Sequence, residues 1–147
     1  MSGTFNAKAY EAMDYGMYLV STSANGKRQG CIATSFAQVT SSRPPRFTVT
    51  LNKDHATTDA VLASGVFSVT LLAADCPEEV VNTFGYKSGR VGDKFTGFEA
   101  KADEAGCPYL TEHMVSRVSC RVVEKLEIGS YILFVGEATE AEVLAGG

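Results

Sequence analysis

The sequence predicts a mainly β protein, an antiparallel sheet curled into a closed or split β-barrel with short inserted helices. Three observations carry this reading. Apolar residues recur with the period of two that a half-buried strand requires, most cleanly in Arg46-Phe47-Thr48-Val49-Thr50-Leu51. Asn25-Gly26 sits between two such runs, where it supplies the positive φ angles of a tight hairpin. The helical stretches are too few and too short to cover a parallel sheet. The 147 residues make room for one compact domain over 1–147, and 45% hydrophobic against 20% charged residues is an ordinary globular balance that excludes disorder and low-complexity scaffolding.

Taken in order, Thr4 is placed to cap a short helix through about Ala12, and Gly16 to Val20 is apolar on both faces, as a buried strand would be. After the Asn25-Gly26 turn the chain should return antiparallel from Arg28 to Ala37, with Ile32, Thr34 and Phe36 on one face and Cys31, Ala33 and Ser35 on the other. Pro44-Pro45 stiffens an extended crossing into the strand Arg46 to Leu51, whose Phe47, Val49 and Leu51 face inward. A helix from Thr57 to Ser64, begun by Asp54 or a nearby hydroxyl, should stop at Gly65, and Val66 to Leu72 alternates as a strand. Asp75 and Pro77 open a helix of about two turns that carries Glu78 and Glu79 at its positive end, with Gly85 just past its close. A polar, Gly-rich loop follows to Gly92, and the chain is irregular through Pro108. Val118, Cys120 and Val122 alternate, Tyr131 to Val135 is a buried strand, Gly129-Ser130 turns between them, and Ala138 to Leu144 adds a further strand. The expected total is six or seven strands with three helices.

Thirteen basic against 17 acidic residues leave a formal charge of −4, opposite in sign to what a nucleic-acid backbone attracts. One small anionic ligand needs only a local cluster of donors. No stretch approaches the 18 apolar residues of a membrane span, and no basic segment followed by an apolar run opens the chain, so a cytoplasmic protein without membrane or nucleic-acid partners is expected. Cys31, Cys76, Cys107 and Cys120 have neither zinc nor dithiol spacing and read as free thiols, and His55 and His113 stand alone, so no metal site is expected. Dinucleotide, P-loop, nucleophile-elbow and zincin motifs are all absent.

Two segments invite a ligand. Ala33-Thr34-Ser35-Phe36-Ala37-Gln38-Val39-Thr40-Ser41-Ser42 is a run of small and hydroxyl residues where a strand leaves the barrel. A flat heterocycle could approach its backbone there, with hydroxyls and Gln38 as donors. In Asn52-Lys53-Asp54-His55-Ala56-Thr57-Thr58 a lysine and two hydroxyls adjoin a helix N-terminus, a setting for phosphate that also reads as plain capping by Asp54.

In their order and spacing these segments resemble the flavin reductase-like family, FMN-binding split barrels that include the flavin domains of high-molecular-weight rubredoxins. The resemblance spans most of the chain. It rests on Tyr15-Gly16-Met17-Tyr18-Leu19-Val20-Ser21-Thr22, on Ile32 to Ser41, Pro44-Pro45, Leu51-Asn52-Lys53 and Ser64 to Val69, and on Gly85-Tyr86-Lys87-Ser88-Gly89-Arg90 followed by Asp93-Lys94-Phe95. It implies a homodimer with one FMN per site near the subunit interface, the ring against Ala33, Thr34 and Ser35 with Phe36 and Gln38 nearby. It also implies a phosphate near Ser41 and Lys53, with Thr40, Asn52, Thr57 and Thr58 as further contacts and Arg90 and Lys94 as screening cations. The implied activity is FMN-dependent oxidoreduction, with electrons taken from NAD(P)H or a redox partner and passed to a small acceptor or a protein. Gly129-Ser130-Tyr131 stands where many nicotinamide-using relatives carry Gly-Asp-His, which keeps open the alternative of an FMN-binding electron-transfer module that does not use NAD(P)H directly. The chain stops at Leu144-Ala145-Gly146-Gly147, where some relatives continue with a tail or a rubredoxin module, so a minimal protein and a truncated one are both open.

Overall fold

In a computed structural model, which describes residues 5–11, 13, 16–87, 90 and 92–144, the chain forms nine strands and three short helices. Seven strands make one sheet in the order β2-β1-β5-β8-β9-β4-β3, with every neighbouring pair antiparallel. The strands are β1 (Tyr18–Ala24), β2 (Lys27–Ala33), β3 (Ala37–Gln38), β4 (Arg46–Asn52), β5 (Val66–Leu72), β8 (Met114–Ile128) and β9 (Tyr131–Val143). The remaining two, β6 (Ala100–Ala102) and β7 (Pro108–Leu110), form a separate hairpin. Helices α1 (Lys8–Glu11), α2 (Ala56–Ser64) and α3 (Glu78–Tyr86) complete the fold.

The β1–β2 hairpin turns at Asn25 (φ 55°) and Gly26 (φ 75°), the left-handed pair that matches strand twist, and it pairs Ala24 with Lys27. The long β8–β9 hairpin organises the rest. The first half of β8 carries β5 on its outer edge, from Leu72 opposite Met114 to Val66 opposite Arg121, while the first half of β9 carries β4, from Asn52 opposite Tyr131 to Arg46 opposite Glu137. One register shift, at Ser119/Cys120, falls within the stretch of β8 that carries β5, and the other, at Val122/Glu124, lies opposite the stretch of β9 that carries β4; such irregularities bend and twist a strand pair, so the sheet curls.

The barrel interior holds Val20, Cys31, Val49, Leu51, Phe67, Val69, Ile132 and Phe134. A second core of Leu19, Val80, Phe84, Phe95, Leu110 and Met114 fills the space beneath α3. Leu19 and Val20 thus enter different cores on opposite faces of β1, which explains why that run is apolar throughout. Arg117, only 5% exposed, fastens the β6–β7 hairpin: it stacks 4.2 Å over the Tyr109 ring, pairs with Glu140 and Glu142, and donates to Ser119 Oγ, which donates to Asp103.

Several expectations need correction. The return strand ends at Ala33 instead of Ala37, because Thr34 and Ser35 leave the ladder and Ala37–Gln38 pairs with β4 as β3. Helix α2 starts at Ala56 with His55 at the cap position and no capping side chain, so Asp54 does not begin it. Gly65 ends it as expected, in the left-handed region, its N–H on the Val61 carbonyl. Gly85 lies inside α3, facing Ile32, and does not end the helix. The stretch before Pro108 contains β6 and leads into β7. Tyr131 to Val135 and Ala138 to Val143 belong to one strand, because backbone pairing with β8 continues through the intervening Gly136 and Glu137, and that strand ends a residue before Leu144. The Arg43–Pro44 bond is cis. Thr4 and Ala12 lie outside the described residues, of which Lys8–Glu11 forms α1.

Gly136 marks the tightest point of the curl. A Cβ there would stand 2.6 Å from Cys120 Cβ and 2.7 Å from Phe67 Cζ, and neither the strand nor the buried ring has room to retreat. Gly136→Ala is therefore expected to lose about 1–3 kcal/mol of stability in urea unfolding; an unchanged midpoint would contradict this packing.

Candidate functional site

Two hollows meet at one end of the barrel. The wider, about 590 Å³, runs between the exit of β2 and the end of β4 and is lined by Ile32, Ala33, Thr34, Ser35, Thr50, Leu51, Asn52, His55 and Tyr131. Its lining mixes apolar Ile32, Ala33 and Leu51 with polar side chains, and one wall is the edge strand β2, whose outward N–H and C=O groups have no neighbouring strand among the described residues to pair with. Ser35 sits at the seam, with its hydroxyl on the main chain of Thr50.

The narrower hollow, about 220 Å³, lies under the start of α2 and is lined by Cys31, residues 54–57, residues 84–87 and Lys94. His55 faces both spaces and joins them. The first N–H groups of α2 point out of the helix end with no side chain capping them, and the helix dipole makes that end positive. Lys94 Nζ donates to the carbonyls of Gly30 (3.0 Å) and Phe84 (3.3 Å), and partial burial lowers its pKa. Its charge is therefore set among neutral acceptors, beside a helix N-terminus, in a protein whose net charge is negative. Asp54 places one carboxylate in the same lining, and against it stand Lys87, Lys94 and the positive helix end, a balance that favours an anion.

Of the sequence-predicted residues, the structure brings Ala33, Thr34, Ser35 and Asn52 together on the wide groove and Thr57 onto the narrow hollow. Phe36 is half-buried beside the segment, stacked on Phe47 at 5.0 Å and edge-on to Tyr18 at 5.2 Å, and so serves as its anchor. The others are absent from both linings for visible reasons. Thr58 is fully buried and donates to the Asn52 carbonyl. Gln38 donates to the Thr40 carbonyl, and the Thr40 hydroxyl accepts from the Arg46 N–H and bonds Ser42, which closes the loop containing Ser41 on itself. Lys53 pairs with Glu127 at 2.8 Å, and Arg90 with Asp59 at 2.9 Å on another flank of α2. His55, which stands alone in the sequence, and Lys87 are not among the sequence-predicted site residues, yet both line a hollow. The signal for His55 was its position directly before a helix; Lys94 was seen only as a screening cation.

An open groove along a barrel seam, with a cationic hollow at its end, defines a barrel that binds a flat, negatively charged small molecule. The chain belongs to the flavin reductase-like family of oxidoreductases, residues 10–147 matching the flavin reductase like domain. It is 38% identical over 139 residues to the ferric-chelate reductase (NAD(P)H) of Archaeoglobus fulgidus, covering 95% of this chain and 82% of that protein. The high molecular weight rubredoxin of Moorella thermoacetica is 32% identical over 142 residues; 97% of this chain is covered, and it spans 62% of that longer protein. Among solved structures, flavoredoxin from Methanosarcina acetivorans superposes with a TM-score of 0.80 at 25% identity, covering 97% of this chain and 73% of that one. An FMN-binding protein from Thermus thermophilus shares the fold with a TM-score of 0.83 at 20% identity, covering 97% of this chain and 78% of that one.

All four cysteines are free thiols. Burial pushes Cys31 up to about 11, against a hydrogen bond from Thr57, and holds Cys107 and Cys120 at about 12. The Cys76 thiol is also pushed up, by partial burial and the neighbouring Asp75, so access decides: iodoacetamide should label the partly exposed Cys76 of the native protein first and reach the three buried thiols only on unfolding. Rapid native-state labelling of Cys31, read by peptide mass spectrometry, would contradict the buried floor.

Proposed function

We propose that this chain, as one flavin reductase-like domain, binds FMN at the joined hollows and works as an FMN-dependent oxidoreductase. The single observation that carries the reading is the pairing of an open, backbone-walled groove with a hollow where Lys94, Lys87 and the uncapped start of α2 converge. The residues fit the group. Ile32, Ala33, Leu51 and Tyr131 offer a ring apolar surface, the edge of β2 and Asn52 offer hydrogen bonds, and the cationic hollow balances a phosphate. This moves the expected phosphate contact from Ser41 and Lys53 toward Lys94, since Lys53 is already held by Glu127. When bound, the flavin supplies electron-transfer chemistry that no side chain here can perform.

NAD(P)H as donor is supported by the names of relatives, the ferric-chelate reductase (NAD(P)H) and an FMN reductase (NADH) from Ancylobacter novellus, 34% identical over 117 residues. The acceptor is a small molecule or a redox protein. A second reading, an electron carrier reduced only by a partner protein, is favoured by Tyr131, which lines the groove at the position where the family resemblance implies a histidine in many nicotinamide-using members.

Homodimer formation is supported by apolar surface beside the groove. Leu62, Leu126, Ile128 and Tyr131 are 40–60% exposed around the end of the β8–β9 hairpin, and a second copy there would cover them and wall the groove from solvent. Four free cysteines support a reducing, cytoplasmic location, and among the described residues no helix is long and apolar enough to cross a membrane.

Titration with FMN should give one flavin per chain with a perturbed visible spectrum, and light scattering should give twice the chain mass. Anaerobic mixing with NADH or NADPH should bleach the flavin directly; bleaching only through an added redox protein would establish the carrier reading, and failure to bind FMN would sink both. Lys94→Met should weaken FMN binding roughly ten- to a hundredfold, the loss of one hydrogen bond to a charged group. Unchanged affinity would remove Lys94 from the phosphate site.

A further inference from the structure

Ser35 belongs to no strand ladder, since β2 ends at Ala33 and β3 begins at Ala37. Its hydroxyl nevertheless makes the two bonds that an opposing residue makes in an antiparallel pair. It donates to the Thr50 carbonyl at 3.0 Å and accepts from the Thr50 N–H at 3.1 Å. One side-chain oxygen thus replaces a backbone partner and ties the exit of β2 to β4 across the barrel seam. The next residue repeats the attachment by other means, Phe36 stacking on Phe47 of β4 with an interplanar angle of 7°.

We propose that Ser35 is a positioning residue for the bound flavin: it fixes the main chain of Ala33, Thr34 and Ser35 at a set distance from β4 and does not itself donate a hydrogen bond to the ligand. The chemistry follows from counting. A serine hydroxyl has one proton, and here that proton lies on the Thr50 carbonyl; a lone pair remains, so toward a ligand the group can only accept. A groove wall made of backbone groups recognises a flat ring only if those groups are held still, and a single stitch holds them without zipping the groove shut. This role rests on the FMN reading of the groove.

The test compares wild-type protein with Ser35→Ala and Ser35→Thr, using FMN titration followed by quenching of flavin fluorescence, the visible band shape of bound FMN, and amide hydrogen exchange at Thr50. Ser35→Ala should melt cooperatively, lose protection at the Thr50 amide, bind FMN about tenfold more weakly and give a less structured visible band. Ser35→Thr, which keeps the hydroxyl, should recover all three. Should the alanine variant fail to fold, Ser35→Cys takes its place with a smaller loss in the same direction, since a thiol donates and accepts only weakly. Wild-type affinity and band shape in the variant lacking the hydroxyl would overturn the role, as would a threonine variant that recovers nothing. Absence of FMN binding by the wild-type protein is a different result, which removes the cofactor reading and this role together.

Discussion

A seven-stranded antiparallel sheet has two edges, and the way this chain brings them together decides where a ligand can sit. The edges are β2 and β3, reached from opposite sides of the long β8–β9 hairpin. Because β5 docks on one strand of that hairpin and β4 on the other, with a register shift within each docked stretch, the two flanks curl toward each other instead of extending as a flat sheet. They do not pair along their length. Ser35 and Phe36 fasten them at one place, and beyond that fastening the strands diverge into the groove. The groove is a product of incomplete closure, with unpaired edge backbone as its wall and side chains from both flanks as its floor.

Charge follows the same geometry. The protein is acidic, and its arginines are largely held by carboxylates: Arg28 by Asp93, Arg46 and Arg121 by Glu137, Arg90 by Asp59, Arg117 by Glu140 and Glu142. Lys94 differs, since its ammonium rests on two carbonyl oxygens next to the start of α2. Carbonyls position a cation without cancelling its charge, and the desolvation that lowers its pKa is offset by the attraction of an arriving anion. A negatively charged protein can in this way present one positive hollow to a phosphorylated ligand.

Local patterns were legible in the sequence and long-range ones were not. Asn25-Gly26, the bounds of β5, the alternation of β4 and the stop at Gly65 are each decided by a few adjacent residues, and each is found where the pattern puts it. The short strands β3, β6 and β7 carry too few residues to show a period, and the outer half of β8 is exposed on both faces, so its alternation fades. The same division runs through the site. Ala33, Thr34, Ser35 and Asn52 were readable because small and polar residues mark a strand end. Lys53 and Arg90 form exposed ion pairs with Glu127 and Asp59, distant partners that no local motif reveals. His55 and Lys94 enter the site only because α2 and the segment after α3 fold over β2.

The account turns on a flavin lying along the incompletely closed seam. Backbone amide chemical shifts recorded during an FMN titration test it most directly. The largest changes should fall at residues 32–36, 50–52 and 55–57, with smaller ones at 85–87 and Lys94, and little at the β6–β7 hairpin. Changes centred on the far face around Glu79, Phe98 and Glu112, or spread evenly over the barrel, would show that the ligand binds elsewhere and that the seam is closure alone.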